Sequence, residues 1–161
     1  MESAKPSGGK VLFKEFTGIK NPDSEFLDPT TTWDDPKLGL SPQILQALKD
    51  NGFGRPSLIQ AYSLPMFLHK SRHNLIAQSH NGSGKTLSFV IAALMSLDPS
   101  SPQLQCIVFG HTRELITQIY EEFIKLNAYT EYKIEIVKNE DHSVQLCQVL
   151  ISTPAKIKKL Y

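Results

Sequence analysis

The chain has 161 residues, 40% of them hydrophobic and 20% charged, which is the composition of one globular domain with a sizeable core. Its formal net charge of +1 excludes a broadly basic protein, so any contact with nucleic acid has to come from a local surface. The longest apolar run, Phe89 to Met95, is far shorter than the ~20 residues that cross a bilayer, and no signal peptide precedes it. We therefore expect a soluble, non-secreted protein without a membrane partner.

The composition divides the chain into residues 1–32 and residues 33–161. The first part is rich in Ser, Gly, Pro, Asp and Thr, and its apolar residues are scattered: Val11, Leu12, Phe13 and Phe16. Such a segment buries too little apolar surface to fold alone, which predicts a mobile N-terminal extension. It serves either as a tail or linker, or as a regulatory or partner-binding segment.

Helices and strands alternate along the second part. The predicted elements in chain order are a helix that begins at Ser41 and Pro42 and ends at Gly52, a helix after Pro56, a strand at Asn74–Ala77, a helix at Leu87–Leu97, a strand at Leu104–Phe109, a helix at Thr112–Leu126, strands at Lys133–Val137 and Gln148–Ser152, and a helix beginning at Pro154. This order predicts an α/β fold with a mainly parallel sheet covered by helices. Ligands of such sheets bind beyond the carboxyl ends of the strands.

Cys106 and Cys147 lie in apolar segments, without a C-x-x-C spacing or a nearby histidine pattern. They are typical of small buried hydrophobic residues and not of metal ligands. Reduced thiols are typical of an intracellular compartment, so we expect the protein in the cytoplasm, the nucleus or both.

The segment AQSHNGSGKT, residues 77–86, combines the parts of a phosphate-binding loop. Glycines let successive backbone N–H groups converge on an anion, a lysine supplies positive charge, a threonine hydroxyl can hold Mg²⁺, and a following helix points its positive end at the same ligand. Ser79 stands where the strict G-x-x-x-x-G-K-[ST] pattern has glycine. An ordinary turn is the alternative, but we interpret the loop as a nucleotide site. The candidate residues are Ser79, Gly82, Ser83, Gly84, Lys85 and Thr86, with Lys85 and Thr86 catalytic and Thr86 the metal ligand.

Upstream of the loop, two residues suit a purine base. Trp33 offers an aromatic face, and the Gln60 amide has both a donor and an acceptor for the N6 and N7 edge of adenine. Arg55, in the same GFGRPSLIQ segment, is a further candidate. Taken alone, Trp33 and Gln60 are more typical of a core aromatic residue and a surface polar residue than of a base site.

Four motifs follow one another in the chain: GF-x-x-P-x-x-I-Q, AQS-x-x-GSGKT, HTREL-x-x-Q and STPAK. In this order they resemble the first RecA-like domain of DEAD-box RNA helicases, from about Trp33 to Tyr161. The resemblance implies a three-layer RecA-like P-loop domain that binds ATP or ADP with Mg²⁺, and it assigns Trp33 and Gln60 to the adenine-reading Q motif. It also implies contacts with the RNA sugar–phosphate backbone, with little base preference, from Thr112, Arg113, Glu114, Thr153 and Pro154.

The segment HKSRHN, residues 69–74, and the SH-N form of the phosphate loop are most similar to the branch of the family that remodels messenger ribonucleoproteins at the nuclear pore. This similarity implies a role in mRNA export, a location that includes the nuclear pore, and regulatory protein partners. We expect a monomer.

Several family features are missing or altered. His111 stands where the family usually has proline, and Ala155 and Lys156 stand where it has glycine and arginine. The family has an acidic pair directly after a strand, which holds Mg²⁺ and orients the attacking water, and no strand here is followed directly by such a pair. The nearest acidic residues, Glu140 and Asp141, come earlier in the chain than the order of the family's motifs requires. A second RecA-like domain is also absent. We expect a domain that is incomplete at its C-terminus, binds nucleotide weakly and turns it over scarcely at all.

Two origins fit these absences: an excised part of a full ATP-dependent RNA helicase, which we favour, or a natural short protein. The main alternative function is a non-catalytic RNA- or protein-binding module with a vestigial nucleotide site. An unrelated P-loop kinase or GTPase is a third alternative, but the base-reading N-K-x-D string is not present.

Overall fold

A computed structural model describes residues 31–69, 74–138 and 145–157 of the chain. Its elements are α1 (Pro42–Asp50), α2 (Leu58–Phe67), α3 (Lys85–Ser96), β1 (Cys106–Phe109), α4 (Arg113–Leu126), a 3₁₀ turn (Asn127–Tyr129), β2 (Ile134–Val137), β3 (Val149–Ser152) and α5 (Pro154–Ile157). Most of the predicted N-terminal extension, residues 1–30, lies outside the described residues.

The three strands form one parallel sheet in the order β1-β3-β2. Because β3 lies in the middle, its four residues Val-Leu-Ile-Ser are all buried, and they form the continuous apolar run that is typical of a strand covered on both faces. In the register, Phe109 at the end of β1 lies beside Ser152 at the end of β3. The predicted α/β class and parallel sheet are confirmed.

Most of the core lies between this sheet and the helices on one of its faces. Helix α4 packs against β2, β3 and α3, and α3 packs in turn against α2. Phe123 of α4, Ile91 of α3 and Ile151 of β3 are fully buried there. A smaller cluster, formed by Val137, Cys147, Leu150 and the α5 residue Ile157, lies apart from this core.

Local sequence signals explain where the helices begin and end. The Ser41 hydroxyl accepts a hydrogen bond from the Ile44 N–H at 3.4 Å, and Pro42 occupies the first turn, where its missing N–H costs nothing. Gly52, with a φ of 74°, closes the helix as predicted. Among the described helices, none is long and apolar enough to cross a bilayer.

The predicted strand at Asn74–Ala77 is wrong, since residues 74–80 have no regular secondary structure. A strand needs a neighbour to accept and donate its hydrogen bonds, and no described strand pairs with this segment. Ile76 consequently remains 94% exposed. The helix predicted at Leu87–Leu97 begins earlier, at Lys85, directly after the glycine-rich loop.

The two cysteines differ in environment. Cys147 is buried, as predicted, whereas Cys106 in β1 is only partly buried. Burial raises the pKa of both thiols, and the Glu135 carboxylate adds to the effect at Cys147. Among the described residues, no group of three or more His, Cys, Asp or Glu side chains is arranged to hold a metal ion.

Candidate functional site

Two glycines shape the loop before α3. Gly82 and Gly84 have φ values of 81° and 90°, in the left-handed region that side chains disfavour. Gly84 is also the N-cap of α3, and it has no side chain that could satisfy the helix's first N–H groups. Ser88 N–H donates to the Gly84 carbonyl at 3.3 Å, and the N–H groups that precede it at a helix N-terminus have no partner within the helix.

The Lys85 ammonium group folds back across the loop that precedes it. Its Nζ donates to the Ser79 carbonyl at 2.6 Å and to the His80 carbonyl at 2.7 Å. The hydroxyls of Ser79 and Ser83 lie 3.3 and 3.4 Å from the same nitrogen, and they bond to each other at 2.5 Å. The loop therefore wraps around one positive charge at the N-terminus of α3, where the helix dipole also favours an anion.

Two side chains at the start of α2 hold this loop through two of the loop's carbonyl groups. The Ser57 hydroxyl donates to the Ser83 carbonyl at 2.7 Å, and Gln60 Nε2 donates to the Gly84 carbonyl at 3.1 Å. Gln60 Oε1 accepts from the Ser57 N–H at 2.6 Å, which fixes the amide in place. Because both side chains are buried, these bonds are shielded from water and tie the loop conformation to α2.

Sequence reasoning missed Ser57 as a functional residue. The signal was present, because serine followed three residues later by glutamine is the signature of a capping box at a helix N-terminus. What the sequence did not reveal is that this helix begins beside the phosphate loop, so that the serine hydroxyl also donates to the Ser83 carbonyl.

The two residues that were expected to bind the base have different hydrogen-bond partners in the structure. Trp33 is buried in the core, 7% exposed, and its indole N–H donates to the Phe53 carbonyl at 3.0 Å. The stacking role expected of Trp33 stays a prediction. Gln60 lies beside the loop, and its amide retains a second N–H and a second lone pair beyond the two bonds it makes. Arg55 is exposed just before α2.

The residues expected to contact a nucleic-acid backbone gather at one edge of the sheet. Thr112 caps α4 by accepting from the Leu115 N–H at 3.1 Å, and Thr112, Arg113 and Glu114 are all exposed after β1. Thr153 and Pro154 follow β3, where α5 begins. Since β1 and β3 are parallel neighbours, both helix N-termini lie at the carboxyl ends of adjacent strands.

Thr86 lies in the first turn of α3 and is partly exposed. A hydroxyl at this position suits Mg²⁺ that is also held by phosphate oxygens, because Mg²⁺ prefers oxygen ligands and usually keeps several waters. Glu140 and Asp141, the acidic residues considered from the sequence, lie outside the described residues.

The profile of the DEAD/DEAH box helicase family matches residues 57–161, which include the phosphate loop, Thr112 and Thr153. This chain belongs to that family. The family match begins at Ser57, the residue that joins α2 to the phosphate loop, and it runs through every element of the sheet.

Named relatives agree with this family assignment. The chain is 38% identical over 128 residues to the ATP-dependent RNA helicase ddx19 of Dictyostelium discoideum and 39% identical over 128 residues to DDX19A of Homo sapiens. Each match covers 75% of this chain and 26% of the relative. The ATP-dependent RNA helicase DBP9 of Candida albicans is 35% identical over 145 residues, which cover 83% of this chain and 25% of that protein.

Solved structures of DEAD-box helicases have the same fold. S. cerevisiae Dbp5 bound to RNA and ADP BeF3 matches with a TM-score of 0.73 and 31% identity, over 78% of this chain and 33% of that chain. A Dbp5 variant bound to Nup159, a Gle1 variant, IP6 and ADP matches with a TM-score of 0.72 and 31% identity, over 76% and 33%. The described fold is thus a RecA-like domain, and the chain spans about a quarter of the curated relatives.

Proposed function

We propose that this chain is the ATP-binding and RNA-backbone-binding part of an ATP-dependent RNA helicase. The observation that carries the proposal is the loop of residues 79–86, in which two left-handed glycines, a folded-back lysine and a helix N-terminus converge. Relatives named ATP-dependent RNA helicases support the same activity for the whole protein.

In this proposal, the N–H groups after Gly84 and the Lys85 ammonium group hold the phosphates of ATP or ADP. The carbonyls of Ser79 and His80 hold the ammonium group until phosphate oxygens replace them. Thr86 contributes its hydroxyl to Mg²⁺, which supplies charge neutralisation to the phosphates when it is bound. Gln60 reads adenine with its remaining N–H and lone pair while it keeps the Gly84 carbonyl in place.

The RNA contacts in the proposal come from the sheet edge. The N–H groups at the start of α4, together with Thr112, Arg113 and Thr153, face a sugar–phosphate backbone. Contacts of this kind position a strand without reading its bases, so RNA sequence preference is expected to be small. A Dbp5 structure bound to RNA, with 31% identity to this chain, supports the class of ligand.

The proposal includes a role in mRNA export. The similarity to proteins named ddx19, DDX19A and Dbp5 agrees with the branch that the phosphate-loop form resembles. A Dbp5 variant has been solved with Nup159 and a Gle1 variant, so we propose regulatory protein partners and a location that includes the nuclear pore. We also propose that the chain is monomeric and that it hydrolyses ATP appreciably only as part of a longer protein.

Replacing Lys85 tests the nucleotide site. Lys85→Ala removes the charge-assisted bonds to the phosphates, each of which contributes about 1.5–3 kcal/mol, so ADP affinity should fall at least about tenfold for each bond lost. Isothermal titration of ADP with Mg²⁺ into both proteins measures this fall. Lys49→Ala, a lysine in the last turn of α1, is the matched control and should bind ADP like wild type.

If wild type and Lys85→Ala bind ADP equally, the loop is not a phosphate site and the non-catalytic module becomes the better proposal. Circular dichroism of the variant separates the two effects, because Lys85 bonds only to groups of the loop and its loss should leave the helices intact.

Competition between adenine and guanine nucleotides tests the assignment of Gln60. A good bidentate contact discriminates between bases by about 1–3 kcal/mol, so ADP should displace a fluorescent adenine nucleotide at a concentration at least about fivefold lower than GDP. Gln60→Glu loses the N–H donors, including the one that holds the Gly84 carbonyl, so both nucleotides should bind more weakly and the preference for ADP should disappear. Equal displacement by ADP and GDP with wild type would contradict the assignment.

A further inference from the structure

The chain contains two Asn-Gly dipeptides, Asn51–Gly52 after α1 and Asn81–Gly82 in the phosphate loop. All four residues are exposed. In such a dipeptide the glycine backbone nitrogen lies close enough to attack the asparagine side-chain carbon Cγ, and glycine has no Cβ to obstruct the approach. By sequence and exposure the two dipeptides are alike, so any difference in reactivity has to come from the contacts that each one makes.

Hydrogen bonds hold the first dipeptide. Asn51 Nδ2 donates to the Ala47 carbonyl at 2.8 Å and to the Lys125 carbonyl at 3.4 Å. The Gly52 N–H donates to the Lys49 carbonyl at 3.0 Å. Both the attacking nitrogen and the side-chain amide are therefore engaged, and these bonds have to break before the nitrogen can reach Cγ.

The second dipeptide lacks such bonds. Within the described residues, no hydrogen bond holds the Asn81 side-chain amide or the Gly82 N–H. A Cβ built on Gly82 would meet nothing within 4 Å, so the space beside this peptide is open. The Asn81 side chain can thus turn towards the Gly82 nitrogen without the loss of a native contact.

The neighbouring histidine favours the reaction further. His80 Nδ1 lies 2.7 Å from the Asn81 carbonyl oxygen, and because a carbonyl only accepts, Nδ1 carries the proton in this hydrogen bond. The Asn81 carbonyl and the Gly82 nitrogen belong to the same amide group. A donor at that oxygen stabilises the negative charge that the amide takes on when its nitrogen loses a proton.

We propose that Asn81 is a site of spontaneous deamidation. The Gly82 nitrogen gives its proton to a base in the solvent and bonds to Asn81 Cγ. The bond from Cγ to Nδ2 then breaks, and Nδ2 takes up a proton and leaves as ammonia, which gives a cyclic succinimide. Water opens this ring at the side-chain carbonyl to give aspartate, or at the main-chain carbonyl to give isoaspartate. One water is consumed and one ammonia is released.

The effect of this modification on nucleotide binding rests on the proposed function of the loop. Either product places a carboxylate beside His80, whose carbonyl lies 2.7 Å from Lys85 Nζ. A negative charge there attracts the Lys85 ammonium group and repels the phosphates of a nucleotide. Isoaspartate also lengthens the main chain of the loop by one methylene group. Deamidation should therefore inactivate the phosphate loop as the protein ages.

Peptide mapping by mass spectrometry during incubation of the full 161-residue chain at pH 8 and 37 °C tests the proposal. In the folded chain, Asn81 should be converted at least about tenfold faster than Asn51, because the bonds that hold Asn51 oppose the reaction. In concentrated urea these bonds are lost, so the two residues should be converted at similar rates. A ratio near one in the folded chain would overturn the proposal.

Replacing His80 tests the part played by its imidazole. His80→Phe keeps an aromatic ring but has no N–H donor for the Asn81 carbonyl, so conversion of Asn81 should become several-fold slower. Conversion of Asn51 is the internal control and should not change. An unchanged rate at Asn81 would show that the hydrogen bond from His80 does not promote the reaction.

Titration with ADP and Mg²⁺ during the same incubation tests the consequence. Wild type should lose binding sites in proportion to the converted fraction of Asn81. Asn81→Gln should keep its sites, because the longer side chain does not form the five-membered ring. Asn81→Asp carries the new charge from the start and should bind ADP at least about tenfold more weakly than fresh wild type.

Two further outcomes separate this proposal from the proposed function. Full ADP binding after complete conversion of Asn81 would overturn the claim that deamidation inactivates the loop. Fast conversion of Asn81 in a chain that never binds ADP would support the modification and would contradict the nucleotide site instead.

Discussion

Gly84 is the residue at which backbone geometry, helix capping and contact with α2 coincide. Its φ is 90°, and a Cβ built on it would lie 2.4 Å from Gln60 Nε2. Gly84→Ala should therefore cost about 1–3 kcal/mol of unfolding free energy and should displace Gln60 from the loop. Urea unfolding measures the first effect, and titration with ADP should show at least about tenfold weaker binding.

Gly54→Ala is the control for this substitution. A Cβ at Gly54 would meet nothing within 4 Å, so its effect on unfolding should stay within about 0.5 kcal/mol. If Gly84→Ala unfolds and binds ADP like Gly54→Ala, the loop does not depend on its left-handed glycine and the geometric basis of the nucleotide site is lost.

At the scale of elements, α4 joins the sheet edge to the core. Its N-terminus carries Thr112, Arg113 and Glu114 in the exposed position after β1, while its buried face packs on β2 and β3. The exposed Arg113 guanidinium gives this end of α4 a cation for a phosphate, although Glu114 beside it carries the opposite charge.

Arg113→Ala should weaken RNA binding uniformly across sequences. Loss of one phosphate contact reduces the slope of log K against log salt by about 0.7 for single-stranded nucleic acid. Fluorescence anisotropy with oligo(U) and oligo(A) of equal length, at several salt concentrations, measures both effects. Lys125→Ala, in the last turn of the same helix, should leave the slope unchanged. A loss confined to one sequence would indicate base contacts instead.

At the scale of the whole molecule, stability depends on the layer between α3, α4 and the sheet. Phe123 is fully buried in that layer, whereas the next residue of α4, Ile124, is 45% exposed. Phe123→Ala should cost about 3–5 kcal/mol, which is a large part of the stability of a small domain, and Ile124→Ala should cost less than about 1 kcal/mol. Thermal unfolding followed by circular dichroism compares the two variants. Similar melting temperatures would mean that this layer is not the core that stabilises the domain.

Much of the fold followed from local patterns. The N-cap at Ser41, the Thr112 start of α4 and the apolar run of β3 each depend on neighbouring residues, so the sequence was sufficient to predict them. The strand predicted at Asn74–Ala77 was wrong because a strand, unlike a helix cap, does not depend on neighbouring residues alone. A strand is stable only when another strand pairs with it, and an apolar run cannot show whether that partner is present.

In the candidate site, too, some features could be predicted from the sequence and others depend on the tertiary structure. Four residues of the candidate site lie within five positions of the chain, so the sequence alone was sufficient to predict them: Gly82, Gly84, Lys85 and Thr86. Only the tertiary structure placed Trp33 in the core, brought Ser57 to the Ser83 carbonyl and engaged Gln60 with Gly84. Those contacts join residues that are twenty or more positions apart. The contacts of Ser57 and Gln60 depend on how α2 packs against α3, which is a property of the folded core and not of any local pattern.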